Sequence, residues 1–259
     1  MEEEEYNGSE NIQDKLQEFF GKLPDDFSIL EEQVDVDIQM KYFEQAKSQN
    51  REFEIDDILA RDAELYDDKI DIKTKKELLI LLAGIDKPEA FRKIERYKKT
   101  VKQAELYDWA CIAYHESKML LESSLLDKNQ IFISTGMGGK GNLLRYFVII
   151  ISENENEFSE TQKKLITSEI EYSLKKYNAE IEIADFDNKY AMYTCLIPLE
   201  APIKDIFQSA IDECNELGNF INDNFIVTNV KKLSSKEIDE FLEKVEKDGG
   251  QGDIEIGYS

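Results

Sequence analysis

The chain has 259 residues, 41% of them hydrophobic and 10% aromatic, which is enough to fill a core and excludes wholesale disorder. Its net charge of −24 argues against a broad phosphate-neutralising surface for DNA or RNA and against docking on an anionic membrane. Such a balance suits a solvated acidic surface or an acidic patch that meets a basic protein partner.

Met1 is followed by Glu2, Glu3, Glu4 and Glu5, the reverse of a basic leader, so no secretory segment is expected. The first ten residues read as a disordered acidic tail. A stripe of Ile12, Leu16, Phe19, Phe20 and Leu23 predicts a short helix over 12–23, stopped by Pro24. Ile38, Tyr42, Phe43 and Ala46 mark the next helix, and Ile55, Ile58, Leu59 and Leu65 another. Leu78, Leu79, Leu81, Leu82 and Ile85 form a nearly all-round apolar helix, which suits an interior position. Asp86 and Pro88 open a second helix carrying Phe91, Ile94, Tyr97 and Val101. A third runs over about 103–126, with Leu106, Trp109, Ala110 and Ala113 on its stripe. Short connections between the three predict an antiparallel stack. The pair carrying Leu78 to Tyr97 resembles one HEAT-type helical unit, although no second copy follows.

After Asp127 the period changes from helical to extended. Strands are predicted over 130–134 and 143–152, then a helix capped by Ser159. Strands over 180–186 and 190–197 follow, joined by Asp187, Asn188 and Lys189 as a hairpin loop. Pro202 opens a further helix, 225–230 is a strand, and Ser234 with Glu237 forms a capping box before a closing helix. The order strand, helix, strand, strand, helix, strand over 143–230 is that of a ferredoxin-like, or split βαβ, domain. The expected organisation is therefore α+β. It comprises an acidic tail (1–10), an antiparallel helical region (11–128), and a ferredoxin-like antiparallel sheet domain with an extra N-terminal hairpin strand (129–247). A flexible tail (248–259) follows, whose Ile254, Ile256 and Tyr258 alternate and suit pairing with a sheet edge.

The segment Ser134-Thr135-Gly136-Met137-Gly138-Gly139-Lys140-Gly141-Asn142 holds four of the twelve glycines. It reads as the tip of a hairpin between 130–134 and 143–152. A plain turn needs one or two glycines, so a binding role is assigned to Ser134, Thr135, Gly136, Gly138, Gly139, Lys140, Asn142 and Arg145. A Walker A loop fails on spacing, on the absence of a following helix, and on Asn142 in the region of the magnesium-binding hydroxyl. The dinucleotide fingerprint fails for want of a helix at Gly141. Ser134 to Lys140 resembles the Gly-Gly-Gln loop of peptide-release factors. Lys140 stands where that family has its glutamine, so release chemistry does not transfer.

No catalytic residue, metal ligand or cofactor is assigned. His115, the only histidine, lacks the second histidine of a zincin motif and is expected on a helix surface or half buried. Cys111, Cys195 and Cys214 are widely spaced and fit buried, reduced thiols, hence a cytoplasmic protein. The expected function is that of a non-enzymatic protein-binding adaptor using helical grooves and the glycine hairpin. One alternative is a ribosome- or RNA-associated factor that inserts the hairpin into a narrow site. The other is an enzyme that binds a phosphorylated metabolite through Lys140 and Arg145.

Overall fold

A computed structural model describes residues 27–49, 53–126, 131–247 and 254–255. The acidic tail over 1–10 and the helix expected over 12–23 lie outside the described residues. The protein is mixed α/β, with eight α-helices among the described residues and a run of helices ahead of the main, largely antiparallel sheet. No helix among these residues is long and apolar enough to cross a membrane. The chain divides into two compact units. One comprises residues 28–141 with 229–231; the other holds Phe27, 142–228 and the described residues from 232 on.

The first unit opens with a short strand, β1 (Phe27–Ile29), which the sequence pattern does not signal. Helix α1 (Val36–Ser48) follows, capped by the Asp35 carboxylate on the Asp37 amide at 2.8 Å. The helix expected around Ile55 to Leu65 is broken into α2 (Ile55–Ala60) and a 3-10 turn (Asp62–Tyr66). Next come α3 (Ile72–Ala83), α4 (Pro88–Thr100) and the 23-residue α5 (Ala104–Leu126). Pro88 takes the first helical position of α4, so the cap is Lys87 and not Asp86. Helices α3, α4 and α5 pack on one another. Leu78 to Ala83 are all buried, which explains why α3 is apolar on every side. Trp109 of α5 sits against Tyr42 of α1 edge to face, and its indole N–H donates to the Lys76 carbonyl at 3.2 Å.

The strand predicted over 130–134 is β2 (Ile131–Ile133), and its partner differs from the expected one. It pairs with β1, the Leu30 amide donating to the Ile133 carbonyl at 3.0 Å. The expected hairpin between 130–134 and 143–152 is therefore not formed. A short apolar strand accepts whichever edge the fold presents, and periodicity carries no information about which. Two residues, β3 (Gly139–Lys140), are extended within the glycine segment.

The second unit contains β4 (Leu143–Ser152), α6 (Glu160–Lys175), β5 (Glu180–Asp187), β6 (Tyr190–Pro198), α7 (Ile203–Glu216), β7 (Ile221–Thr228), α8 (Ser235–Lys247) and β8 (Ile254–Glu255). The strand order is β5-β6-β4-β7-β8; every pair is antiparallel except β7 with β8, where Ile226 faces Ile254. Val148 faces Tyr193 on one side and Val227 on the other. This central strand is buried along most of its length, hence its run of Phe, Val and Ile in place of alternation. Tyr193 bonds Thr167 of α6 at 3.0 Å, and Phe225 meets Phe207 of α7. Through β4 the register puts Tyr193 and Phe225 on one side of the sheet, so both helices cover the same face. Ser159 and Gln162 form a complete capping box on α6, and Ser234 with Glu237 repeats it before α8.

Leu79 is fully buried and Leu125, at the end of α5, is 82% exposed. Chemical denaturation of Leu79→Ala is expected to show a loss of about 2–5 kcal/mol. Leu125→Ala is expected to stay within about 0.5 kcal/mol of the parent.

Candidate functional site

The middle of the glycine segment does not project as a tip, whereas Lys140, Gly141 and Asn142 are exposed. Gly136, Met137, Gly138 and Gly139 are all buried, within the first unit. Thr135 and Gly138 close a turn, with the Gly138 amide donating to the Thr135 carbonyl at 3.3 Å; the Thr135 hydroxyl donates to the Gly138 carbonyl at the same distance. The Thr135 carbonyl also accepts from the Gln39 side-chain amide. A Cβ on Gly136 would fall under 3.0 Å from the Val230 carbonyl oxygen, and the next amide, Met137, donates to the Asn229 carbonyl at 3.0 Å. Gly138 has φ +67°, and a Cβ there would collide with the carbonyls of Glu31 and Glu32. The Gly139 amide donates to the Glu31 carbonyl at 3.3 Å, and the Gly141 amide to the Glu31 carboxylate at 3.1 Å. The glycines are thus the surface on which backbone meets backbone. Gly141 leads into β4 and not into a helix, so no ring of helix-terminal amides forms there.

Of the residues grouped by sequence, Ser134, Thr135, Gly136, Gly138, Gly139 and Lys140 fall in the first unit, where Gly138 and Gly139 lie against Glu31 and Glu32. Ser134 is half buried and Lys140 is exposed. Asn142 and Arg145 belong to the other unit. The Arg145 guanidinium is held by the Glu182 carboxylate on β5 through two bonds, one of 3.0 Å and a shorter one from Nε.

What the glycine segment supports is a partly buried charge cluster that sequence reasoning missed. Glu32 directs its carboxylate at α4 and α5. One oxygen accepts from Lys98 and the other from His115 Nε2 at 2.8 Å. His115 is 5% exposed, not half buried as its sequence context suggests. Burial alone would raise the Glu32 carboxyl. The hydrogen bonds from His115 and Lys98, with the charge they carry, outweigh it and hold the group at about 2 against an ordinary 4.5. The proton that Glu32 holds on Nε2 leaves His115 Nδ1 buried and without a partner. Lys98 also lies over the Tyr114 ring, 4.3 Å from its centre. Glu32, Glu95, Lys98, Lys99, Tyr107 and Tyr114 line a cleft of about 380 Å³. Burial pushes the Cys111 thiol up to about 12, and Cys111 in turn, with burial, raises the Tyr107 hydroxyl to about 12. Neither group supplies an anion near neutral pH. No three His, Cys, Asp or Glu side chains among the described residues are grouped to hold a metal ion. No signal in the sequence could have joined Glu32 to His115, which lies 83 positions away.

The second feature is β5, which ends the strand order and, among the described residues, pairs on one side only, with β6. Six of its eight residues are exposed and none is buried, whereas β6 is buried at every position but the last. It carries Glu180, Glu182, Asp185 and Asp187 and no basic residue.

No protein-family model matches this chain, and no curated protein matches it. Among solved structures the chain is similar to one from Deinococcus radiodurans that is provisionally assigned as a transposase. Identity is 11%, over 42% of this chain and 93% of that one, with a TM-score of 0.31. A likeness of that size carries no argument about fold or function.

Gly136→Ala forces a side chain into the Val230 carbonyl and is expected to cost about 3 kcal/mol in equilibrium unfolding. Gly141→Ala, with open space but φ +59°, is expected to cost only about 1 kcal/mol. A second expectation concerns pH. The folded state depresses the Glu32 carboxyl from 4.5 to about 2. Its contribution, on the order of 3 kcal/mol, is present above about pH 4.5 and is lost as pH falls toward 2. Comparing acid unfolding of the parent with Glu32→Gln checks this, since the variant is expected to lose that component of the pH dependence.

Proposed function

We propose that this chain is a non-enzymatic, cytoplasmic protein-binding module whose partner is basic. The observation that carries the reading is β5: an exposed, acidic edge strand on a well-buried sheet. An exposed edge is a place where a further strand can add, and its carboxylates and register shift restrict that addition to a strand of suitable charge. The groups that could suggest catalysis have structural engagements. His115 is tied to Glu32, and Arg145 is tied to Glu182. The three cysteines are buried and free, in keeping with a reducing compartment, and their thiols are raised to about 12 chiefly by burial. The readings that need a projecting glycine loop, an RNA-inserting hairpin or a phosphate cradle, lose that support because Gly136 to Gly139 are buried.

The sheet unit belongs, on the same reading, with ferredoxin-like domains. Supporting this are the element order β4-α6-β5-β6-α7-β7, the strand order β5-β6-β4-β7, and two helices on one face. Helix α8 and strand β8 are then additions to it. Fold of this kind does not specify chemistry, so the binding reading rests on the edge and not on the class.

Affinity purification of the full chain at low salt, followed by light scattering of the eluted complex, tests the proposal. A stoichiometric basic protein that dissociates as salt is raised is the expected result. Recovery of the chain alone under the same conditions counts against it.

A further inference from the structure

The register of β5 specifies how such a partner is held; the argument rests on the binding reading above. Asp187 faces Tyr190 across a two-residue loop, Asn188 and Lys189, with Asn188 at φ +53°. In a hairpin of this kind the closing pair exchanges backbone hydrogen bonds. Alternation then turns the amides and carbonyls of Asp185 and Asp187 toward β6, and those of Ala184 and Phe186 outward. The Phe186 amide agrees with this direction: it donates to the Asp185 carboxylate at 2.9 Å. A register shift between Ile181 and Ile183 interrupts the strand, so the straight outward run is 183–187.

We infer that residues 183–187 accept an extended, lysine- or arginine-bearing segment of the partner as an added strand beyond β5, with Asp185 as a latch. In the free chain the Asp185 carboxylate satisfies the outward Phe186 amide. An incoming strand supplies a carbonyl to that amide and frees the carboxylate, which then needs a cation. A basic side chain on the added strand provides it; an apolar or acidic one leaves an unpaired charge at the contact. Ile183, half exposed, offers an apolar contact on the same stretch. A second copy of this chain is a poor occupant, because self-pairing of β5 sets carboxylates against carboxylates. The chain's own first residues, with Glu2 to Glu5, fail for the same reason. A basic strand satisfies both the backbone and the charge.

The test uses the full chain and a fluorescein-labelled peptide of alternating lysine and valine, with its glutamate–valine counterpart as control. Fluorescence anisotropy is expected to show binding of the basic peptide only, weakening as salt rises, with amide-exchange protection gained at Ala184 and Phe186. Ala184→Pro removes an outward donor without touching the β6 ladder, and is expected to weaken binding at least about tenfold. Asp185→Lys removes the latch and reverses its charge, with a loss at least as large. Should Ala184→Pro fail to fold, Asp185→Lys decides alone. Equal binding of the acidic peptide, protection elsewhere in the chain, or binding undiminished by Asp185→Lys overturns the inference. If a basic partner is still captured by the Asp185→Lys chain, the edge assignment fails while the protein-binding reading stands. If neither form captures a partner, the binding reading fails with it.

Discussion

Backbone packed directly on backbone, around Glu31 and Glu32, is the constraint on which the first unit turns. The chain there is overlain by Gly138 and Gly139, and neither carbonyl tolerates a Cβ on Gly138. Because the glycines take no volume, Glu32 can sit deep enough for its carboxylate to reach both Lys98 on α4 and His115 on α5. One carboxylate thereby ties two helices. Removing either partner would leave a partly buried charge without one of its hydrogen bonds, at a cost in stability.

The same packing reassigns the role of the glycine run. Glycine clusters suit phosphate cradles because successive amides converge on a ligand. Here the amides of Met137, Gly139 and Gly141 converge on the protein itself, on the Asn229 and Glu31 carbonyls and the Glu31 carboxylate. The conformational freedom of glycine is used for close approach within the fold, and the donors a ligand would need are already engaged.

In the sheet unit the constraint is of another kind. Strands β4 and β6 are enclosed while β5 is not, so the sheet has one side finished and one side open. A register shift and a carboxylate folded back on Phe186 blunt that edge in the free chain. Both devices limit indiscriminate pairing, and both leave a short stretch on which a strand of suitable charge can add. Selectivity then comes from charge, and the affinity from backbone hydrogen bonds.

Local chemistry in the sequence was enough to place most elements. The leucine-rich α3, the long α5, the Ser159 and Ser234 caps, the Asn188 loop and the Phe/Val/Ile run of β4 each announce themselves through period or capping, which act within a few residues. Acidity was equally plain from composition. What the sequence could not supply was partnership. Residues 131–133 pair with β1 and not with β4, Glu32 meets His115 from 83 positions away, and Arg145 is held by Glu182 on β5. Periodicity fixes which face of an element is buried; which distant group it is buried against depends on the closure of the whole chain, and only the tertiary structure decided that.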